Sequence, residues 1–173
     1  MWWLVSPQNP LKLTLDMAPF EERLSAACQF ARHPSIRVTD IEKRLGMRYT
    51  VDTLTAIKFC FPRVRFVWLM GADNLAQMSR WRRWTRIFNL VPIAVFDRAP
   101  YSFAALAGKA AHAFARFKRR SRTAHDLVDL TPPAWIFFHT RLHPDSATSI
   151  RARRRIRANH TPHTEATTAG SAR

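Results

Sequence analysis

Residues 66–74 read Phe66-Val67-Trp68-Leu69-Met70-Gly71-Ala72-Asp73-Asn74. Five apolar residues without polar alternation run into a glycine, and an acid–amide pair opens the next segment. A short continuous apolar run that stops at glycine predicts a strand buried on both faces, here Arg65–Met70. Upstream, Thr50 to Phe61 reads as a helix, with Val51, Leu54, Ile57 and Phe61 at helical spacing and Pro62 beyond its end. Downstream, residues 74–89 read as helical in one or two pieces, and Leu90–Phe96 reads as a second buried strand with Pro92 near its start.

The same alternation continues outward. Trp2–Val5 predicts a buried strand, followed by a proline-punctuated loop, Ser6-Pro7-Gln8-Asn9-Pro10-Leu11-Lys12. Residues 18–32 predict a helix with Pro19 in its first turn and Leu24, Ala27, Cys28 and Ala31 on one face. Ile36–Val38 is a short strand after the His33-Pro34 break. Phe103–Lys118 reads as one alanine-rich helix, Trp135–Phe138 as a strand and Thr148–Arg157 as a short basic helix. Strands and helices in alternation predict an α/β fold, a parallel sheet with helices on both faces. In such sheets ligands sit beyond the carboxyl ends of the strands. The loops to search are therefore 6–16, 71–74, 97–102 and 139–148. Ala158–Arg173 lacks periodicity and reads as a disordered tail behind one domain, 1–157.

Composition narrows the function classes. The chain has 173 residues, 47% hydrophobic and 12% aromatic, enough for a packed core. The apolar runs Phe66–Met70 and Val91–Phe96 are far shorter than the roughly 18–20 residues that cross a bilayer. The first residues lack the basic start and long apolar stretch of a secretory signal, so a cytoplasmic protein with no membrane partner is expected. Cys28 and Cys60 read as small, reduced core residues. The net charge is +16, and two runs carry most of it: +6 over residues 109–123 and +5 over 141–157. Local basic runs on a nearly ordinary domain suit a phosphate-rich ligand or a nucleic acid.

Several residues could carry chemistry. After the strand, Gly71 lets a backbone approach a ligand, and Asp73 can accept from ribose hydroxyls or merely cap the next helix. In Arg80-Trp81-Arg82-Arg83-Trp84 the arginines and aromatics could hold phosphates and stack rings. An amphipathic helix with Trp84, Ile87 and Phe88 inward accounts for most of them, leaving Trp81 near the strand-end loop. Tyr49 and Thr50 open a helix whose free N–H groups could receive a carboxylate, or Thr50 simply caps it. Arg98 follows a strand as an anion contact or a solvated side chain. Ser146-Ala147-Thr148-Ser149-Ile150-Arg151 places hydroxyls and an arginine at a helix start, a phosphate cradle or a capped surface helix. The histidines show no metal-ligand spacing with a cysteine, and no paired-carboxylate or nucleophile–histidine–acid motif stands out.

Taken in order, Asn9-Pro10-Leu11-Lys12, Arg48 to Leu54, Phe66 to Asn74, Arg80 to Trp84 and Ser146 to Arg151 resemble the bacterial nicotinate-nucleotide adenylyltransferase family over roughly residues 1–157. The resemblance implies a Rossmann-like fold and transfer of AMP from ATP to nicotinate mononucleotide, giving deamido-NAD and pyrophosphate with Mg2+ assisting. It implies that Tyr49 and Thr50 receive the nicotinate carboxylate, that Trp81 stacks on the pyridine, and that Asp73 and Arg98 hold the mononucleotide. Lys12, Ser146, Thr148 and Arg151 would hold ATP phosphates. Ala147 stands where the family's Ser-Ser-Thr-x-Ile-Arg motif has its second serine, which removes one hydrogen bond.

The family's Gly-x-Phe-x-Pro-x-His-x-Gly-His loop has no counterpart in this sequence, so no catalytic residue is assigned. The expectation is that Met1 is an internal start, that one strand–loop–helix unit is missing, and that this N-terminally truncated polypeptide folds poorly and turns over slowly. Two other functions stay open: a nucleotidyltransferase for another small phosphorylated substrate, and a basic nucleic-acid-binding protein. Tyr49-Thr50 with Trp81 favours a flat, carboxylate-bearing ring, so nucleic acid is not the expected partner.

Overall fold

The computed structural model describes residues 1–7 and 17–140. Lys12, Ser146, Thr148 and Arg151, the helix expected at Thr148–Arg157 and the tail from Ala158 lie outside the described residues. In chain order the elements are β1 (Trp2–Leu4), α1 (Phe20–Phe30), β2 (Arg37–Thr39), α2 (Ile41–Arg44), α3 (Thr50–Cys60), β3 (Trp68–Gly71), α4 (Ala72–Gln77), α5 (Trp84–Leu90), β4 (Ile93–Phe96), α6 (Ser102–Leu106), α7 (Lys109–Ala113), β5 (Lys118–Arg119) and β6 (Trp135–Phe138). Three 3-10 segments join them, at Met78–Arg80, Ala115–Phe117 and Ser121–Asp129.

All described strand pairs are parallel, as an α/β fold requires. They form two sheets. One holds β1 and β2, and the other runs in the order β3-β4-β6-β5. Register brings Gly71 of β3 opposite Phe96 of β4, and Phe96 opposite Phe138 of β6. The three carboxyl ends therefore finish level, along one rim.

The central strands are apolar because both of their faces are covered. Ile93 and Val95 of β4, with Trp135 and Phe137 of β6, face the main core under α3 to α7. Ala94 and Ile136 point to the other face, where Leu127 of the Ser121–Asp129 segment covers them. The period-2 alternation of strand side chains thus splits one apolar run between two cores. In the main core Phe88 and Phe114 stack at 4.1 Å, and the buried Trp135 indole donates to the Phe114 carbonyl at 2.8 Å. That bond satisfies a polar group that would otherwise be costly to bury. Buried Thr53 donates to the buried Glu42 carboxylate at 3.0 Å, which fixes α2 against α3.

Several expectations need correction. The strand at Trp2–Leu4 is not buried, since Trp2 and Trp3 are each 38% exposed. Trp2 packs on Phe61 and Phe66 and Trp3 on Phe30, contacts that leave each indole partly exposed. Cys28 and Cys60 are exposed, because each falls on the outward side of its helix. Pro19 stands one position before α1, as its N-cap. The strand expected from Arg65 pairs only from Trp68, and Leu69 is 43% exposed. The strand expected from Leu90 begins at Ile93, because α5 runs through Leu90. The single helix at 103–118 is two short helices. Gly108, in extended backbone, breaks the alanine run between α6 and α7.

Candidate active site

The rim carries polar side chains at each strand end. At β3, Gly71 leads into α4, whose first turn holds Asp73. A Cβ on Gly71 would stand 2.5 Å from Asp73 Oδ1 and 3.7 Å from the Arg98 side chain. The glycine is there because the Asp73 carboxylate folds back over it. Asp73 Oδ2 lies 3.3 Å from Arg98 Nη1, across from β3 to the loop after β4. Its other oxygen, Oδ1, is buried and has no hydrogen-bond partner among the described residues. A buried acceptor left open is expensive, and a bound hydroxyl or amide would satisfy it. Asp73 does not cap α4, where no side chain makes a capping bond.

A second group gathers at the start of α3. Tyr49 is its N-cap, and its carbonyl accepts from the Asp52 and Thr53 amides at 2.9 and 3.1 Å. No side chain caps this end, so Thr50 does not take the capping role. The first N–H groups of this 11-residue helix stay open to an acceptor, at its positive dipole end. Arg82 Cζ sits 4.9 Å from the Tyr49 ring centroid, and Arg82 Nη1 lies 3.4 Å from Asp52 Oδ2. Trp81, the residue before, packs half-buried against the same core as Tyr49. Arg82 thus links the start of α3 to the loop that carries Trp81.

The helix expected across Arg80–Trp84 is instead a loop. Met78–Arg80 forms a 3-10 turn, Trp81 is extended, and Arg83 takes a left-handed φ of 48° before α5 begins. That reversal frees Trp81 and Arg82 from a helical face. Trp84, Ile87 and Phe88 do point inward, as their spacing predicts.

Of the five described residues expected at the site, Asp73 and Arg98 form one group in direct contact, while Tyr49 and Thr50 adjoin at the start of α3 and are tied to Trp81 only through its neighbour Arg82. No hydrogen bond or ring contact among the described residues joins the first group to the second.

A third group was not anticipated. Asp97 and His139 each stand one residue past the end of a strand, β4 and β6. The Asp97 amide donates to the Phe138 carbonyl at 2.9 Å, which extends the ladder by one step. The Asp97 side chain is only 8% exposed. Its Oδ1 accepts from the Ser102 hydroxyl and, at 2.8 Å, from the Arg98 amide; its Oδ2 lies 3.4 Å from His139 Nδ1. The Ser102 hydrogen bond, with help from the Arg98 amide and His139, holds the carboxyl below its ordinary value against the opposing effect of burial. The signal available in sequence was positional: each residue follows an apolar run at the productive end of the sheet.

The profile of the cytidylyltransferase-like family matches residues 1–153. A protein of Parvibaculum lavamentivorans is 51% identical over 153 residues, 88% of this chain and 76% of its own length. One of Gluconacetobacter diazotrophicus is 46% identical over 168 residues, 96% of this chain and 78% of its own. A third, from Brucella abortus, is 41% identical over 162 residues, 94% and 82% of the two chains. Each is named a probable nicotinate-nucleotide adenylyltransferase. A parallel sheet with its polar groups along the carboxyl rim, matched by that profile over most of its length, makes this chain a member of the cytidylyltransferase-like family.

Proposed function

We infer that this chain is a nicotinate-nucleotide adenylyltransferase, an enzyme of NAD biosynthesis. In that reaction a phosphate oxygen of nicotinate mononucleotide attacks the α-phosphorus of ATP. The bond from that phosphorus to the bridging oxygen breaks, and pyrophosphate leaves with the electron pair. Catalysis of this kind rests on positioning and on stabilising charge.

The observation that carries the reading is the uncapped start of α3 with Arg82, the residue after Trp81, over the Tyr49 ring. The open N–H groups at Thr50 and its neighbours suit the nicotinate carboxylate, and the Trp81 indole suits the flat pyridine. Asp73 Oδ1 suits a ribose hydroxyl, and Arg98 steadies that carboxylate while facing the mononucleotide phosphate. Lys12, Ser146, Thr148 and Arg151 take the ATP phosphates by resemblance. Mg2+ enters with ATP. When bound, it would neutralise phosphate charge. No described helix is long and apolar enough to cross a membrane.

The test is a melting curve of the full chain with each mononucleotide. Nicotinate mononucleotide should raise the melting temperature, and nicotinamide mononucleotide should raise it less, since only the acid can use the α3 start. A larger shift with a different phosphorylated ribotide would move the chain to a sister activity. Tight, steeply salt-dependent DNA binding with no ribotide shift would end the reading.

A further inference from the structure

We propose that His139, held by Asp97, binds the triphosphate of the nucleotide substrate; the proposal rests on the adenylyltransferase reading. His139 lies immediately past β6, and its side chain is 71% exposed. Asp97 is buried and ionised, with one oxygen fully engaged by Ser102 and the Arg98 amide. The other oxygen faces His139 Nδ1 at 3.4 Å. A carboxylate can only accept, so the imidazole proton resides on Nδ1. The ring also rests on Phe137, with centroids 4.9 Å apart. Nε2 is thereby the free nitrogen, at the end of a ring anchored on two sides. When protonated it presents a fixed N–H to an anion, with a partly prepaid orientation.

Position selects the anion. The rim runs from Asp73 through Arg98 and Asp97 to His139 without a gap in contact. The mononucleotide groups occupy the β3 end of that line. His139 is at the other end, and seven residues later Ser146 begins the hydroxyl–arginine segment matched to ATP phosphates. Of the other charged groups near β6, Lys118 Nζ of β5 lies over the Trp135 and Phe137 rings, 5.5 and 5.9 Å from their centroids, and Arg119 is exposed. On the Ser121–Asp129 segment His125 pairs with Asp126, and Asp129 with Arg65, while Arg122 is exposed.

The test is calorimetric titration of the full chain with inorganic tripolyphosphate, and separately with ATP, at about pH 6 and about pH 8. His139→Ala, at an exposed site, should keep the melting temperature yet weaken tripolyphosphate about tenfold at the lower pH. It should also flatten most of the gain in affinity that wild type shows between the two pH values. Asp97→Asn should reproduce part of that flattening, which a purely structural role for Asp97 would not. Unchanged tripolyphosphate affinity in His139→Ala, or no binding by wild type, overturns the proposal. Tripolyphosphate has neither pyridine nor adenine. His139-dependent binding without deamido-NAD formation would sustain this site and remove the activity. Product formation with an unaltered KM for ATP in His139→Ala would do the reverse.

Discussion

Gly71 and Asp73 are two residues apart, and the first gives the second its shape. A methyl group at position 71 would stand 2.5 Å from Asp73 Oδ1, so the carboxylate must swing away. The atom displaced is a side-chain tip, and Gly71 has an ordinary φ of −81°. Gly71→Ala should therefore fold normally, with its melting temperature almost unchanged. It should raise KM for nicotinate mononucleotide about tenfold, because the Asp73–Arg98 pair is lost. An unaltered KM would show that Asp73 does not touch this substrate. Asp97 makes a different prediction, about pH. Its folded carboxyl lies below the ordinary 3.8. A depressed carboxylate contributes stability above its unfolded value and loses it as pH falls through the folded one. Asp97→Ala should thus cost about 1–3 kcal/mol at neutral pH, for lost hydrogen bonds to a buried charge. The gap from wild type in urea melts should shrink as pH drops below about 4. A gap that stays constant down to about pH 3 would contradict this. Asp73 and Arg98 were legible in the sequence because each follows an obvious strand. Asp97 and His139 were not, because their partnership depends on β4 and β6 being neighbours in equal register. Nothing local in either segment encodes that.

At the scale of elements, the start of α3 and the loop before α5 act together. Arg82 is the link, over the Tyr49 ring and near Asp52. Its ion pair is half exposed, so Arg82→Ala should cost less than about 1 kcal/mol of stability. Releasing the loop should nonetheless loosen Trp81, and the preference for nicotinate over nicotinamide mononucleotide should fall several-fold in paired KM measurements. A preference that holds would assign discrimination to the α3 backbone alone. The α6–α7 break offers a second element-level test. A Cβ on Gly108 would meet the Ala104 and Ala105 carbonyls at 3.1 and 3.2 Å, both main-chain atoms that cannot move cheaply. Alanine there gains about 0.4–1 kcal/mol from a stiffer unfolded chain. Overpacking costs about 1–3 kcal/mol, so the crowding wins and Gly108→Ala should melt a few degrees lower. The alanine-rich composition of 103–118 hid this break, since alanine favours helix at every position and only one glycine argues against it. The β4 and β6 strands were legible because double burial leaves a long apolar run. The two-residue β5 and the four-residue α2 were not, being too short to show a period.

For the whole molecule, the decisive fact is that β1 and β3 each pair on one side only among the described residues. They line a common apolar groove of about 840 Å³, with Trp2, Trp3 and Leu4 on one side and Phe66 to Leu69 on the other. Trp68 Nε1 is buried and lacks a partner among the described residues. Strand edges with no partner among the described residues, beside exposed Trp3 and Leu69, invite pairing with another chain. The net charge of +16 opposes that encounter. Charge repulsion fades beyond a Debye length, roughly 30 Å at 0.01 M salt but about 8 Å at 0.15 M, whereas apolar contact does not weaken with salt. The chain should therefore sediment as a monomer at low ionic strength and associate as salt rises, binding a hydrophobic dye in both conditions. Leu69→Lys places a charge on that edge of β3 at a side chain that is already 43% exposed, so it should suppress association and leave the melting temperature within a degree or two. Association that weakened with added salt would mean that the arginine-rich runs, and not the groove, hold the copies together.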